Sequence, residues 1–158
     1  MGKAQKTKKL DAEAGLKSSL REILEKRLDD MFSFQGSVLA TSSPESIHDM
    51  RVAARRFRAL MRIFQAAFPK KKLKDQNRHL SALLKLLGRV RDCDILIERL
   101  EADQSRMSPE EWLALEPLLD RQKNSRTLQL SILKNQLDEL HSQRYHQQFR
   151  EFLTESLS

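Results

Sequence analysis

Helix-breaking residues are scarce in this chain and fall at only a few places along it. Glycine and proline each occur four times in 158 residues. The helix formers Leu, Ala, Glu, Lys, Arg and Gln are abundant. Apolar residues recur every three or four positions, and no β-branched run alternates with period two. The sequence therefore predicts an all-α protein.

Four main helices are predicted, followed by a short fifth one. They span residues 11–34, 43–68, 74–102 and 108–140, and the short helix ends near residue 157. The polar linker TSSP separates the first two helices. Ser43, Ser108 and Ser142 are predicted N-caps, and Pro117 is expected to kink the fourth helix or split off its first turn. Short connections favour an antiparallel bundle.

Two apolar stripes are predicted to face the core of this bundle. The first helix contributes Leu16, Leu20, Ile23, Leu24, Leu28 and Met31. The third contributes Leu80, Leu83, Leu84 and Leu87. One domain is expected at this length, with residues 1–9 as a flexible basic tail and residues 10–158 as the bundle.

Other features of the sequence indicate the cellular compartment of the protein. The N-terminal lysines precede no apolar segment, so a secretory signal is not predicted. No apolar run reaches the length needed to cross a bilayer. The single cysteine, Cys93, excludes an internal disulfide and favours a reducing, cytoplasmic compartment.

Positive charge is concentrated in the middle of the chain. The net charge is +7. Residues 45–94 hold 13 Lys and Arg against 5 Asp and Glu, whereas the rest holds 16 against 17. Such a block is typical of a surface that faces an anion.

The second helix carries a basic stripe within the segment IHDMRVAARRFRALMRIF, residues 47–64. On a helical projection its apolar residues gather on one side, with the stripe roughly opposite. The apolar side contains Met50, Ala53, Phe57, Leu60, Met61, Phe64 and Phe68. The basic stripe contains His48, Arg51, Arg55, Arg58 and Arg62. Between them lies an apolar flank of Val52, Ala59 and Ile63, interrupted by Arg56.

A row of unneutralised arginines is unfavourable, and an anionic ligand would relieve it. The guanidinium fork matches phosphate oxygens. The residues predicted to bind a polyanion are the stripe with its neighbour Arg56 and three bases of the third helix: His48, Arg51, Arg55, Arg56, Arg58, Arg62, Arg78, Lys85 and Arg89. A merely solvated basic face is the alternative. On the third helix Arg78, Lys85 and Arg89 share a face, and the two helices could line one groove.

Arg91, Asp92 and Asp94 are predicted to form structural ion pairs, because charges beside apolar residues need partners. Arg91 and Asp94 are expected to pair with each other or with a charge on a neighbouring helix.

Other chemistries find little support in the sequence. It contains no Gly-rich phosphate loop, no G-x-S-x-G turn and no H-E-x-x-H motif. His141 and His146 are five residues apart and point away from each other on a helix. We therefore predict no catalytic residue, metal or cofactor. A nucleic-acid or ribosome-associated protein is the main alternative, and a metal- or phosphohistidine-dependent enzyme is the next.

Two segments together resemble a known family. SPESIHDMRVAARRFRALMRIF is similar to the motif H-x-x-R-V-x-x-R-R-x-R of the CHAD family, the conserved histidine α-helical domain. LLKLLGRVRDCDILIERL resembles its motif L-G-x-x-R-D-x-D. The resemblance implies a helical bundle whose basic residues line a central cavity and bind inorganic polyphosphate without catalysis. By position, His48, Arg51, Arg55 and Arg58 fall on the first motif, and Arg91, Asp92 and Asp94 on the second.

The resemblance covers one half of the usual family domain. That domain contains two similar four-helix halves, and this chain lacks a second basic motif. Either the chain is a shortened form of the domain, or two copies assemble to rebuild it. We expect the second, a homodimer, because symmetric assembly is common.

We expect a cytoplasmic protein associated with polyphosphate granules. Nucleic acid is a weaker candidate partner, because Phe57, Phe64 and Phe68 point to the apolar side and offer no platform for base stacking. A membrane is not an expected partner, because the basic helix has apolar residues on two sides and is committed to a core.

Overall fold

The computed structural model describes the backbone of residues 2–158 and the side chains of residues 13–158. No strand occurs in residues 2–158, which confirms the predicted all-α fold. The α-helices are α1 (Gly2–Ser33), α2 (Gln35–Thr41), α3 (Pro44–Ile63), α4 (Lys70–Asp103), α5 (Pro109–Ser142) and α6 (Tyr145–Ser156). Short 3-10 turns at Gln65–Ala67 and Gln104–Arg106 follow α3 and α4.

The long helices pack in the order of the chain. Helix α1 packs on α3, α3 on α4, and α4 on α5, while α6 lies against α1 and α5. Short connections reverse the chain direction between long helices, so neighbours run antiparallel. The centre of the core is formed by fully buried side chains, among them Leu24, Leu28, Met31, Met50, Phe57, Leu83, Leu87, Leu133 and Phe149.

Two helix starts are capped as predicted. The Ser43 hydroxyl accepts a hydrogen bond from the Ser46 backbone N–H at 3.1 Å. At α5 the Ser108 hydroxyl accepts from the Glu111 N–H, and the Glu111 carboxylate accepts from the Ser108 N–H. Each bond satisfies a donor that the first turn of a helix leaves free, so these starts are set by local sequence.

The connection between α1 and α3 is more helical than predicted. The residues before TSSP form helix α2, and Gly36 lies inside it rather than in a linker. The cause is burial, because Val38 is fully buried in the core. Ser42 adopts φ 52°, a left-handed conformation that ends α2 and turns the chain into α3.

The junction between α5 and α6 also differs from the prediction. Ser142 is not an N-cap, because α5 continues through it and its hydroxyl donates to the Glu139 carbonyl at 2.8 Å. Helix α6 begins at Tyr145, preceded by Arg144 with φ 52°. Helix α5 also runs on past Pro117, so the proline does not split off a first turn.

The predicted stripe on the first helix is partly wrong. Leu16 is 69% exposed and Ile23 is 50% exposed, whereas the other four members of the stripe are buried. Those four residues repeat at intervals of four, four and three, so they form a narrow apolar stripe on α1 that packs against α3 and α6. Residues 1–9 are predicted to be a flexible basic tail. The backbone of residues 2–9 belongs to α1, their side chains lie outside the described ones, and the flexibility stays a prediction.

Aromatic side chains hold α6 against the core. The Phe57 and Phe149 rings meet at 5.1 Å, and Tyr145 lies edge-on to Phe149 at 5.7 Å between ring centroids. The Tyr145 hydroxyl donates to the Gln76 carbonyl at 3.1 Å. Burial raises the pKa of the Tyr145 hydroxyl above its usual range, so it stays neutral and keeps its proton for this bond.

A buried ion pair ties three helices together. Asp94 on α4 is 2% exposed, and its Oδ1 accepts from Arg126 Nε on α5 at 2.5 Å. Arg126 Nη2 also donates to the Ser42 carbonyl at 2.7 Å. Asp94 was predicted to pair either with Arg91 or with a neighbouring helix, and the structure shows the neighbouring helix.

Removing this carboxylate should destabilise the whole bundle. We expect Asp94→Ala to lower the free energy of unfolding by about 3 kcal/mol, because Arg126 loses its buried counter-charge. Urea denaturation measures the loss. The matched control is Asp75→Ala, whose pair with Arg78 is exposed and should cost no more than about 0.5 kcal/mol. Equal losses in the two variants would contradict a special role for Asp94.

Candidate functional site

A row of arginines follows α3 along its border with α4. We call Arg51, Arg55, Arg58 and Arg62 the arginine row. Its last three members are exposed. Together with Ala59 and with Leu84 of α4 they line an open cavity of about 250 Å³. The cavity wall therefore consists of guanidinium groups over an apolar floor.

The row borders the buried face of α3 rather than lying opposite to it. Ala54 is fully buried, and Arg58, four residues later, lies only about 40° further round the helix. Arg51 is half-buried, and its Nε lies 3.9 Å from the position that a Cβ atom on Gly88 would occupy. The predicted opposite placement is therefore wrong, and the row faces both α4 and solvent.

The row has no acidic partners in the described part of the chain. Some other surface bases there are paired with carboxylates, as in the pairs Arg27–Asp30, Arg78–Asp75, Lys123–Glu101 and Arg150–Asp29. Others, such as Lys85, Arg89 and Arg99, also have no ion pair among residues 13–158. The row differs because four unpaired arginines follow one line of a single helix. Within residues 13–158 the ion pairs include no member of the row. Like charges three and four residues apart repel on a helix, so the row is a concentrated positive surface that favours an anion.

His48 and Arg56 line a different cavity. This hollow of about 390 Å³ lies between α1 and α3 and also contains Arg27, Asp30 and Asp49. The two carboxylates make its lining mixed in charge, which suits a polyanion less well than the arginine row does. Sequence reasoning grouped His48 and Arg56 with the row because it could not see the acidic side chain that α1 contributes.

The basic residues of α4 do not line the arginine cavity. Leu84 and Gly88 face the row, while Lys85 and Arg89 each follow by one residue and point about 100° further round the helix. Both are exposed, and Arg78 is already paired with Asp75. The structure therefore does not bring the two predicted stripes into one cavity.

The charged residues of the second motif have separate environments. Arg91 Nη1 lies 3.2 Å from Glu98 Oε1 on the same helix, and Asp94 pairs with Arg126. Asp92 is exposed and has no ion pair with any described charged group. Sequence reasoning missed Arg126. Helical phase could have identified it as a residue that faces the core. It shares one face of α5 with three leucines at helical spacing, Leu130, Leu133 and Leu137.

The aromatic and histidine side chains offer little for base stacking or metal binding. Phe57 and Phe68 are buried, although Phe64 is 37% exposed, contrary to its predicted place on the core side. His146 Nε2 lies 2.6 Å from Asp29 Oδ1. Side chains of residues 13–158 form no group of three or more His, Cys, Asp or Glu that could hold a metal.

No helix within residues 2–158 has an apolar stretch that could cross a bilayer.

A comparison with known protein families identifies the family of this chain. The family model of the CHAD domain matches residues 22–158, a span that runs from α1 to the end of the sequence and includes both motifs. Neither a curated protein nor a solved structure matches the chain. With most of its length matched, this protein belongs to the CHAD domain family, which is associated with polyphosphate binding.

Proposed function

We propose that this protein binds inorganic polyphosphate along the arginine row and that it does so without catalysis. One observation carries the proposal: four arginines share one border of α3 and have no acidic partner among residues 13–158. Location in the cytoplasm, in association with polyphosphate granules, is part of the same proposal.

The length of the row favours a chain of phosphates over a single one. Arg51 and Arg62 are eleven residues apart, which corresponds to about 16 Å of helix at 1.5 Å per residue. A free phosphate would reach only one or two of the guanidinium groups, whereas a linear polyanion could contact all four. Each planar guanidinium can donate two parallel hydrogen bonds to phosphate oxygens.

The cavity lining supports binding rather than turnover. Its walls contain three guanidinium groups, one alanine and one leucine. None of these supplies a carboxylate, imidazole or hydroxyl that could act as a general base or nucleophile. Asp49 and His48, the nearest candidates in sequence, line the separate hollow beside α1.

The first test removes two central arginines. We expect Arg55→Ala combined with Arg58→Ala to weaken binding of long-chain polyphosphate by about 100-fold, since each lost charge-assisted hydrogen bond should cost about tenfold or more. Thermal stability should stay equal or rise by a few tenths of a kcal/mol, because like-charge repulsion is removed. Fluorescence anisotropy titration at fixed salt and thermal unfolding measure the two effects.

The matched control lowers the net charge by the same amount elsewhere. Arg99 on α4 and Arg121 on α5 are exposed and lie outside the cavity, so Arg99→Ala with Arg121→Ala should keep most of the affinity. Equal losses would mean that binding depends on overall charge and not on the row. RNA or DNA that competes as well as polyphosphate at matched phosphate concentration would favour the nucleic-acid alternative.

A second copy of the chain is proposed to complete the binding surface. Ala59 and Ile63 lie beside the arginine row, and Ile63 is 69% exposed. Exposed apolar side chains at the edge of a charged site often mark a contact with another protein, and symmetric dimers are the commonest soluble assembly. In such a dimer the arginine rows of two copies would face a shared polyphosphate.

The dimer can be tested at Ile63. We expect Ile63→Ser to shift the protein towards monomer with little loss of thermal stability, because its side chain is exposed within one copy. Light scattering with and without polyphosphate measures the mass. Leu113→Ser is the control, since Leu113 on α5 is equally exposed at 69%. A wild-type protein that stays monomeric with polyphosphate present would contradict the dimer and leave binding by one copy intact.

A further inference from the structure

Gly88 lies inside a long continuous helix, at a position where the backbone conformation does not require glycine. It lies well inside α4, which spans Lys70–Asp103, and no glycine in the described chain has a positive φ. A glycine in a helix interior is less favourable than alanine, because its backbone loses more conformational freedom. A residue type that destabilises its own helix needs an explanation outside the helix.

Packing does not require glycine either. A Cβ atom at position 88 would meet only one atom of another helix within 4 Å, namely Arg51 Nε at 3.9 Å. That distance is an ordinary van der Waals contact. Alanine would therefore fit against the described residues without moving a neighbour, and its absence leaves a small open space on α4.

This space lies beside the innermost member of the arginine row. Leu84, one turn earlier on α4, forms the floor of the cavity below Arg55, Arg58 and Arg62. At position 88 the same face of α4 carries no side chain next to Arg51. A phosphate oxygen bonded to a guanidinium nitrogen lies about 2.9 Å from it. A methyl group 3.9 Å from Nε would narrow the space beside this guanidinium through which such an oxygen could approach.

We propose that Gly88 is a positioning residue of the polyanion site. The bare backbone of α4 keeps the side of Arg51 open, so that a phosphate chain held by Arg55, Arg58 and Arg62 can extend to Arg51. This inference rests on the proposed function and names the residue that decides how far along the row the ligand reaches. Gly88 would act through Arg51 and would itself contribute no hydrogen bond from a side chain.

The test compares three glycine-to-alanine variants. Gly15 and Gly36 lie in α1 and α2, where an added Cβ meets nothing within 4 Å. Gly88→Ala, Gly15→Ala and Gly36→Ala should all keep or raise the melting temperature. Only Gly88→Ala should weaken binding of long-chain polyphosphate, by about tenfold. The slope of log affinity against log salt should fall by about one, as expected when one arginine contact is lost.

A second measurement shows whether the effect runs through Arg51. In an Arg51→Ala background, Gly88→Ala should cause no further loss of affinity, because the contact that it obstructs is already gone. Wild-type affinity in Gly88→Ala, or an undiminished loss in the Arg51→Ala background, would overturn the inference while polyphosphate binding by the wild type stands. If the wild type and both control variants fail to bind polyphosphate, the proposed function and this inference fall together.

Discussion

The arrangement of this bundle depends on one buried carboxylate. Asp94 neutralises Arg126 inside the structure, and the same guanidinium holds the carbonyl of Ser42, where the chain turns into α3. Helices α4 and α5 and the turn before α3 thus share one anchor, which helps to fix where α3 begins. This anchor also affects the arginine row, because the position of every arginine on α3 depends on where that helix starts. The Asp94–Arg126 ion pair therefore helps to position the candidate binding surface and is not itself part of it.

Local rules predicted the features that local sequence controls. The caps at Ser43 and Ser108 involve partners three residues away, so they can be read from the chain. The α2 helix and the true start of α6 could not be read in this way. The first depends on burial of Val38 against other helices, and the second on a left-handed backbone at Arg144. The first outcome is decided by tertiary contacts that override local preference, and the second by a backbone conformation that residues other than glycine rarely adopt.

The candidate site could also be predicted only where its features depend on a single helix. Helical phase placed the arginines on one line correctly, because phase is a property of a single helix. It could not show which face of α4 turns towards them, so Lys85 and Arg89 were grouped with the row while Leu84 and Gly88 were not. It also could not show that α1 brings Asp30 close to His48. The contents of a cavity between helices depend on how they pack, and a single sequence does not contain that geometry.

The row stands on a helix that is supported on two sides, by α1 and by α4. The backbone positions of its arginines are therefore held at nearly constant spacing before any ligand arrives. For a flexible polyanion, the first contact raises the effective concentration of the next phosphate at the next arginine. Affinity then comes from avidity along one ligand, and it should level off once the ligand is long enough to occupy the whole row.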